Sequence, residues 1–162
     1  MNKSLFFLGL AMATTVSAMD KAGLTSSKLA RLNKQLCDAA EGGTWKKVLE
    51  LIDSGADASA PHREYLDTPL HWAAYHSRAD MMRELLRRGA DIEARDFLSR
   101  TPLNRAAPLQ ADLVHVLIEH GADVNAKTKS GWTPLQSALA SNEKATVKLL
   151  LDAGADEAPW DA

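Results

Sequence analysis

The amino-acid sequence predicts an all-α solenoid, in which short helices stack in similar units along one axis. Two tripeptides that recur with one common period support this prediction. Gly-Ala-Asp occurs at 55–57, 89–91, 121–123 and 154–156. Thr-Pro-Leu occurs at 68–70, 101–103 and 133–135. A period of about 33 residues indicates a repeat protein, and the number of copies indicates about four units.

Each tripeptide carries the chemistry of a helix end. Threonine is a good N-cap, and proline is favoured at the first helical position, where its missing N–H costs nothing. Each Thr-Pro-Leu is therefore predicted to begin a short inner helix. The glycine of each Gly-Ala-Asp is predicted to end an outer helix in the left-handed conformation. Eleven or twelve residues then remain before the next threonine and form a projecting loop.

The first unit lacks Thr-Pro-Leu but keeps the register. Residues 36–40 align with residues 70–74 at an offset of 34, and Gly55 aligns with Gly89 at the same offset. A helix is expected to begin near Ser26 or Ser27 and to bury one stripe of leucines: Leu29, Leu32 and Leu36. Together these signals predict one domain over residues 19–162, with repeats at about 26–57, 67–91, 100–123 and 132–156.

Two departures from the period are informative. The stretch from Ala107 to Gly121 is one residue shorter than its counterparts and contains Pro108. We expect a tighter turn between the two helices of the third unit. The first loop, between Gly55 and Thr68, is one residue longer than the others. Insertions of this kind map to loops, often on the binding face of a repeat protein.

The hexapeptide Thr68-Pro69-Leu70-His71-Trp72-Ala73 matches the Thr-Pro-Leu-His-x-Ala signature of ankyrin repeats. The chain resembles that family over nearly all of residues 19–162. The resemblance implies an ankyrin-repeat solenoid of stacked helix-turn-helix units with projecting hairpin-like loops. It also implies that His71 joins the hydrogen bonds of its Thr-Pro-Leu turn. Cys37 aligns with His71, and we expect it to be a buried structural thiol.

Residues 1–18 are predicted to be a cleaved signal peptide. Lys3 is basic, residues 5–16 are apolar, and Val16-Ser17-Ala18 provides the small residues of a cleavage site. The apolar run is shorter than the roughly 20 residues that span a bilayer. The compact pattern looks bacterial and indicates the periplasm, with secretion as the alternative. A short N-terminal anchor or a disordered tail also fits these residues.

Composition and motifs argue against an enzyme or a nucleic-acid-binding protein. The net charge is −2, so no basic excess attracts a phosphate backbone. The pairs His71/His76 and His115/His120 are each five residues apart, and no His-Glu-x-x-His motif occurs. We therefore expect no catalytic residue, no metal and no cofactor.

Large apolar and basic residues occupy the predicted loop tips and the inner-helix face, which in ankyrin proteins form the binding surface. Aromatic residues beside arginine are typical of binding hot spots. The predicted binding residues of the loops are Arg63, Tyr65, Leu66, Phe97, Leu98, Arg100, Lys129 and Trp132. Those of the inner helices are Trp72, Tyr75, His76 and Arg105. In the alternative reading, Trp72 and Leu66 pack between repeats and Phe97 stacks on its neighbouring loop.

The expected partner is another protein, bound by a monomer or in a 1:1 heterocomplex. The chain resembles small exported ankyrin proteins that protect a bacterium from its own cell-wall-cutting enzymes. That resemblance implies an inhibitor or immunity protein that caps a periplasmic or secreted hydrolase, such as a peptidoglycan endopeptidase. The alternatives are a periplasmic scaffold for an oxidative-stress enzyme and a secreted effector that binds a host protein.

Overall fold

The computed structural model describes residues 25–157. The predicted signal peptide, residues 1–18, lies outside the described residues. Eight helices fill the described range: α1 Ser26–Glu41, α2 Trp45–Asp53, α3 Pro69–Tyr75, α4 Ala79–Arg87, α5 Pro102–Ala106, α6 Ala111–Glu119, α7 Pro134–Ala140 and α8 Lys144–Asp152. None of these helices is long and apolar enough to cross a membrane.

The helices form four consecutive pairs, each with an inner and an outer helix. Within every pair the two helices contact each other, and the inner helices α1, α3, α5 and α7 also contact their inner neighbours. The outer helices α4, α6 and α8 pack on one another in the same way. Because each pair buries its apolar side against the next pair, the predicted all-α solenoid is confirmed.

The core consists of leucine columns that run through the stack. The leucine four residues before each helix-ending glycine is at most 4% exposed in all four units: Leu51, Leu85, Leu117 and Leu150. The leucine of each Thr-Pro-Leu is equally buried: Leu70, Leu103 and Leu135. In α1, Leu32 and Leu36 close the first end of the stack.

Each Thr-Pro-Leu threonine begins its inner helix through a capping box. In the third unit the Asn104 N–H donates to Thr101 Oγ1 at 3.3 Å, while Asn104 Oδ1 accepts the Thr101 N–H at 3.0 Å. Gln136 and Thr133 make the same reciprocal pair in the fourth unit. The sequence prediction for these helix starts is confirmed.

The turn between inner and outer helix differs in the third unit from the prediction. Units one, two and four place a left-handed residue there: Gly43, Ser77 and Asn142, with φ of 66°, 54° and 58°. None of residues 107–110 has a positive φ. The missing residue shortens the helix rather than the turn, since α5 has five residues where α3 and α7 have seven.

Pro108 explains where α5 ends. The Ala107 N–H still donates to the Leu103 carbonyl at 2.9 Å. Pro108 has no N–H, so it cannot continue the ladder to the Asn104 carbonyl. The connection to α6 then takes four residues, 107–110, and the prediction of a tighter turn is wrong.

The three long loops project side by side, and each is closed by backbone hydrogen bonds. The second loop joins the Asp96 N–H to the Arg100 carbonyl at 3.1 Å, and the third joins Thr128 to Trp132 at 2.9 Å. The first joins the His62 N–H to the Asp67 carbonyl at 2.7 Å. The closed segment is therefore one residue longer in the first loop, so the extra residue lies at its tip.

Candidate protein-binding surface

The tips of the loops present large apolar side chains to solvent. We call the three loops the first, second and third finger, for residues 58–67, 92–100 and 124–132. Five apolar side chains at their tips are between 38% and 48% exposed: Tyr65, Leu66, Phe97, Leu98 and Trp132. A contiguous exposed apolar patch on a soluble domain marks an interaction site.

Adjacent fingers are held together edge to edge. The Phe97 N–H donates to the Tyr65 carbonyl at 3.0 Å, and the Lys129 N–H donates to the Leu98 carbonyl at 2.8 Å. Lys129 therefore occupies the position in the third finger that Phe97 occupies in the second. The surface that the tips form is therefore continuous across all three fingers.

The aromatic side chains of the first two fingers pack on each other. The ring of Phe97 meets the ring of Tyr65 edge-on at 6.0 Å, and His62 stacks on Tyr65 at 5.7 Å. Phe97 thus stacks on its neighbouring loop, as the alternative reading predicted, but both rings stay about half exposed. His62 was not among the predicted site residues, and its place beside Tyr65 follows from the longer first finger.

Leu66 has an unusual backbone conformation. Its φ is 56°, and the equivalent residues of the next fingers, Ser99 and Gly131, have φ of 56° and 83°. A left-handed conformation costs a residue with a side chain roughly 1–2 kcal/mol relative to glycine. Leu66 is exposed rather than packed between repeats, so its side chain gives the fold little in return. Strain of this kind is often found at functional sites.

The inner-helix residues of the second unit divide into exposed and packed positions. Tyr75 is 60% exposed, more than any other large apolar side chain in residues 25–157. Trp72 is partly buried against the core and meets the Tyr75 ring edge-on at 5.7 Å. His76 Nε2 lies 2.9 Å from the Glu41 carbonyl, and its ring contacts Trp45. His76 therefore links the second unit to the first.

Arg105 lies inside the molecule rather than on an open surface. Its side chain is 13% exposed, and its guanidinium pairs with Asp67 at 2.5 Å and with Asp96 at 3.1 Å. Arg105, which the sequence predicts as an inner-helix binding residue, is thus engaged in ion pairs within the molecule. A charged side chain at a variable position is exposed only when no buried residue of opposite charge lies within its reach. Both partners of Arg105 lie on fingers, whereas Arg105 itself lies on α5.

The pKa values of the two carboxylates that pair with Arg105 are shifted in opposite directions. Burial raises the pKa of Asp67, and the nearby Arg105 charge offsets this only in part. Burial also raises the pKa of Asp96, but hydrogen bonds from the Arg100 backbone, the Arg100 side chain and Arg105 outweigh it, so the net pKa lies below the usual value. Asp96 is thus the firmly ionised centre of the cluster.

The second and third fingers are rich in positive charge. Residues 95–100 and 127–132 contain four basic side chains and one acidic side chain, Asp96. Arg100 donates to Asp96 at 2.7 Å, so the negative charge of that carboxylate is already compensated. Arg95 donates to the Ser99 and Lys127 carbonyls and so bridges the two fingers. The remaining charge of this surface is positive.

An open notch lies beside the junction of the second and third fingers, where Ser137 of α7 also contributes to its lining. Its volume is about 440 Å³. The lining includes Leu98, Arg100, Thr128, Lys129, Trp132 and Ser137. Ser137 was not predicted as a site residue, because the sequence shows a small polar residue there and not the space that it leaves. A second hollow of about 590 Å³ lies between α1 and the first finger.

Two groups of a kind that often carries chemistry, Cys37 and His71, have structural roles. Cys37 is buried, donates to the Ala60 carbonyl at 3.3 Å, and burial raises its pKa to about 11. Burial lowers the pKa of His71 to about 4, so the ring is neutral. No group of three or more potential metal ligands occurs in residues 25–157.

Two family models match the sequence. One, described as three copies of ankyrin repeats, matches residues 97–158, and the single ankyrin repeat matches residues 65–97. Together they cover the second to fourth helix pairs. The first pair lies before the matched region, in agreement with its lack of Thr-Pro-Leu.

Curated relatives resemble the chain over part of its length. The palmitoyltransferase Hip14 of Drosophila melanogaster is 41% identical over 69 residues, which are 42% of this chain and 11% of that protein. The ARF GTPase-activating protein Git of the same species is 36% identical over 46% of this chain and 10% of its own length. The Neurogenic locus Notch protein of Drosophila melanogaster is 33% identical over 56% of this chain and 4% of its own length. The similarity thus covers only a small segment of each larger protein.

Proposed function

This chain belongs to the ankyrin-repeat family, whose repeats form protein-binding modules, and we propose that it is an exported inhibitor or immunity protein. In this proposal it binds a periplasmic or secreted cell-wall hydrolase, such as a peptidoglycan endopeptidase, and covers its active-site cleft. The finger tips would make the contact, and no chemical step would be needed.

One observation carries the proposal. Large apolar side chains stand on the tips of all three fingers, at positions where folding alone would favour small polar residues. Leu66 even occupies a left-handed backbone position that glycine fills in the third finger. Such side chains are useful when a partner buries them, because burial of apolar area is the main driving force of association.

The shape of the surface supports a steric mechanism. The three fingers stand side by side in one row, joined by the Tyr65–Phe97 and Leu98–Lys129 backbone contacts. A row of protruding tips can enter a cleft, whereas a flat surface can only cover it. A typical interface needs about 800 Å² from each partner, which a stack of this size can supply.

The proposed location rests on the sequence of residues 1–18. A basic residue, an apolar run and a small-residue site in this order are typical of a secretory signal. To test it, residues 1–24 can be fused to alkaline phosphatase, which is active only after export. We expect phosphatase activity and cleavage after Ala18, read by mass spectrometry. A matched fusion with Leu8→Arg and Leu10→Arg should lack both, and equal activity of the two fusions would contradict export.

The partner can be identified by affinity capture from an envelope extract of the source cells. We expect a cell-wall hydrolase to be captured, and its cleavage of purified peptidoglycan to fall when the purified chain is added. The double variant Phe97→Ala/Trp132→Ala should lose both capture and inhibition while its circular dichroism stays unchanged. The matched control is Leu151→Ala, an apolar change of similar exposure on α8, far from the fingers in sequence.

Other outcomes of the capture experiment would overturn the proposal. An oxidative-stress enzyme captured without loss of its activity would indicate a scaffold. A host protein would indicate a secreted effector. Capture of a hydrolase that stays fully active on peptidoglycan would remove the inhibitor role.

A further inference from the structure

We propose that the notch between the second and third fingers binds a partner segment that presents an apolar side chain next to an aspartate or glutamate. The notch is lined by Leu98, Arg100, Lys129, Trp132 and Ser137. This inference rests on the proposed protein-binding function and adds the chemistry of the segment that is bound.

The notch is open because Ser137 is small. The equivalent position on the inner helix is Trp72 in the second unit and Arg105 in the third, each the second residue after Thr-Pro-Leu. Trp72 packs on the core, and Arg105 fills its corner to reach Asp67 and Asp96. Ser137 instead turns its hydroxyl back to the Thr133 carbonyl at 3.1 Å. Of these three units, only the fourth therefore has an empty corner between its inner helix and its finger.

The top of the notch is also uncovered. Between the first and second fingers, the Tyr65 and Phe97 rings meet at 6.0 Å and cover the gap. In the third finger the residue that makes the equivalent backbone bond is Lys129. A lysine has no ring to lay across the gap, so a side chain from a partner can enter.

The walls of the notch favour an apolar side chain. Leu98 and Trp132 are 38% and 41% exposed. The volume of about 440 Å³ lies within the range of sites that hold ligands, which is about 300–1,000 Å³. An apolar group placed between Leu98 and Trp132 would remove apolar area of both side chains from water.

The rim of the notch favours a carboxylate. Lys129 makes no ion pair with any residue in the range 25–157, and its neighbours Lys127 and Arg95 add positive charge. Of the two acidic residues in these fingers, Asp96 is buried and paired with Arg100 and Arg105, and Glu93 accepts the Asp123 N–H at 2.8 Å. An acidic side chain of a partner would thus meet uncompensated positive charge, whereas a basic one would be repelled.

The test is a selection from a random peptide display library against protein purified from cells that express the complete sequence. We expect the enriched peptides to carry a large apolar residue within two positions of Asp or Glu. Synthetic copies in which Asn or Gln replaces the acid should bind at least about tenfold more weakly, a loss of about 1.4 kcal/mol.

Two variants test the place of binding. Ser137→Phe fills the corner and should abolish binding of the selected peptides, while the matched Ser137→Ala keeps the space open and should bind as before. Lys129→Glu changes only an exposed finger residue, so it avoids any folding defect of the larger substitution. Selection against Lys129→Glu should no longer enrich acidic peptides.

Several results would overturn this inference. They are the absence of any enriched peptide, enrichment of basic peptides, and equal binding by wild type and by both Ser137→Phe and Lys129→Glu. The outcome is separable from that of the proposed function. If acidic peptides bind and Ser137→Phe abolishes that binding, but no hydrolase is captured, the proposed inhibitor function is refuted. If a hydrolase is captured equally well by Ser137→Phe, the proposed binding role of the notch is refuted.

Discussion

The side chains that follow the first two Thr-Pro-Leu triplets, His71 and Asn104, each link a helix start to a neighbouring finger. His71 Nδ1 accepts the Thr68 N–H at 3.2 Å, and Nε2 lies 2.9 Å from the Arg100 carbonyl. In the third unit Asn104 accepts from Thr101 and donates to the Ala126 carbonyl. An acceptor and a donor are needed at the same time, which the neutral imidazole supplies and the imidazolium does not.

The neutral state of His71 makes the stability depend on pH. The folded pKa of about 4 lies below the unfolded value of about 6.5, so the unfolded chain binds a proton over this range while the folded chain does not. The free energy of unfolding should therefore fall by up to roughly 3 kcal/mol as the pH decreases from 7 to 4. Urea unfolding of wild type and His71→Asn at several pH values measures this.

The His71→Asn variant is the appropriate comparison, because Asn104 shows that an amide can fill this position. It should retain most of the stability at pH 7 and lose less than wild type at pH 4. The same pH dependence in both proteins would show that another group, such as Asp96 with its lowered pKa, causes it.

A second prediction at the residue scale concerns the strain at Leu66. Leu66→Gly relieves the left-handed conformation, and Leu66→Ala removes the same side chain but keeps the strain. We expect the glycine variant to be more stable than the alanine variant by about 1 kcal/mol. Thermal unfolding of both measures the difference. Equal stability of the two variants would show that the left-handed conformation of Leu66 is not strained, so it would not support a role of Leu66 in binding.

At the scale of elements, the Gly-Ala-Asp tripeptide shows why one short motif recurs. The glycine ends the outer helix with positive φ, and the alanine is buried below 10% exposure in every unit. The aspartate accepts the N–H two residues further on, as Asp91 does from Glu93 at 2.9 Å. Its own N–H donates to a side chain from an earlier part of the stack, as the Asp91 N–H donates to Ser59 Oγ at 2.8 Å. The motif ends one helix and joins two units.

The inner helices depend on their caps because they are short. The helix α5 has only five residues, so the Thr101 cap supplies a large part of its hydrogen bonds. Thr101→Ala should cost about 1–2 kcal/mol, whereas Thr101→Ser keeps the hydroxyl and should cost clearly less. Chemical denaturation of the two variants gives both values. Equal losses would mean that the methyl group of Thr101, rather than its hydroxyl, stabilises the helix.

At the scale of the whole molecule, Arg105 ties the inner helix of the third unit to two fingers. Asp67 belongs to the first finger, Asp96 to the second, and Arg105 to α5. Both carboxylates are 3% exposed. Removal of one partner of a buried ion pair leaves an uncompensated charge, which is far more costly than loss of a surface pair.

We therefore expect Arg105→Met to lower the free energy of unfolding by about 3–5 kcal/mol. The double variant Asp67→Asn/Arg105→Met should be more stable than Arg105→Met, because it removes one of the buried charges left behind. Equilibrium unfolding in urea at pH 7 measures all three proteins. A double variant less stable than Arg105→Met would show that the Asp67 carboxylate has other partners.

The sequence by itself determined the period, the helix starts and the helix ends. These are local properties: a threonine side chain reaches a nearby N–H, proline lacks a donor, and glycine accepts a positive φ. The same locality explains why residues such as Thr101 and Gly89 are placed correctly without any knowledge of their neighbours. The length of the first finger was also readable, since it is a count of residues.

Only the tertiary structure decided which large side chains face a partner. Arg105 was expected at the surface, but carboxylates 38 and 9 residues away hold it inside. The notch depends on a residue that is small, Ser137, seen against larger residues in neighbouring units. Such features arise from what lies opposite a side chain in the stack, and distances along the sequence do not contain that information.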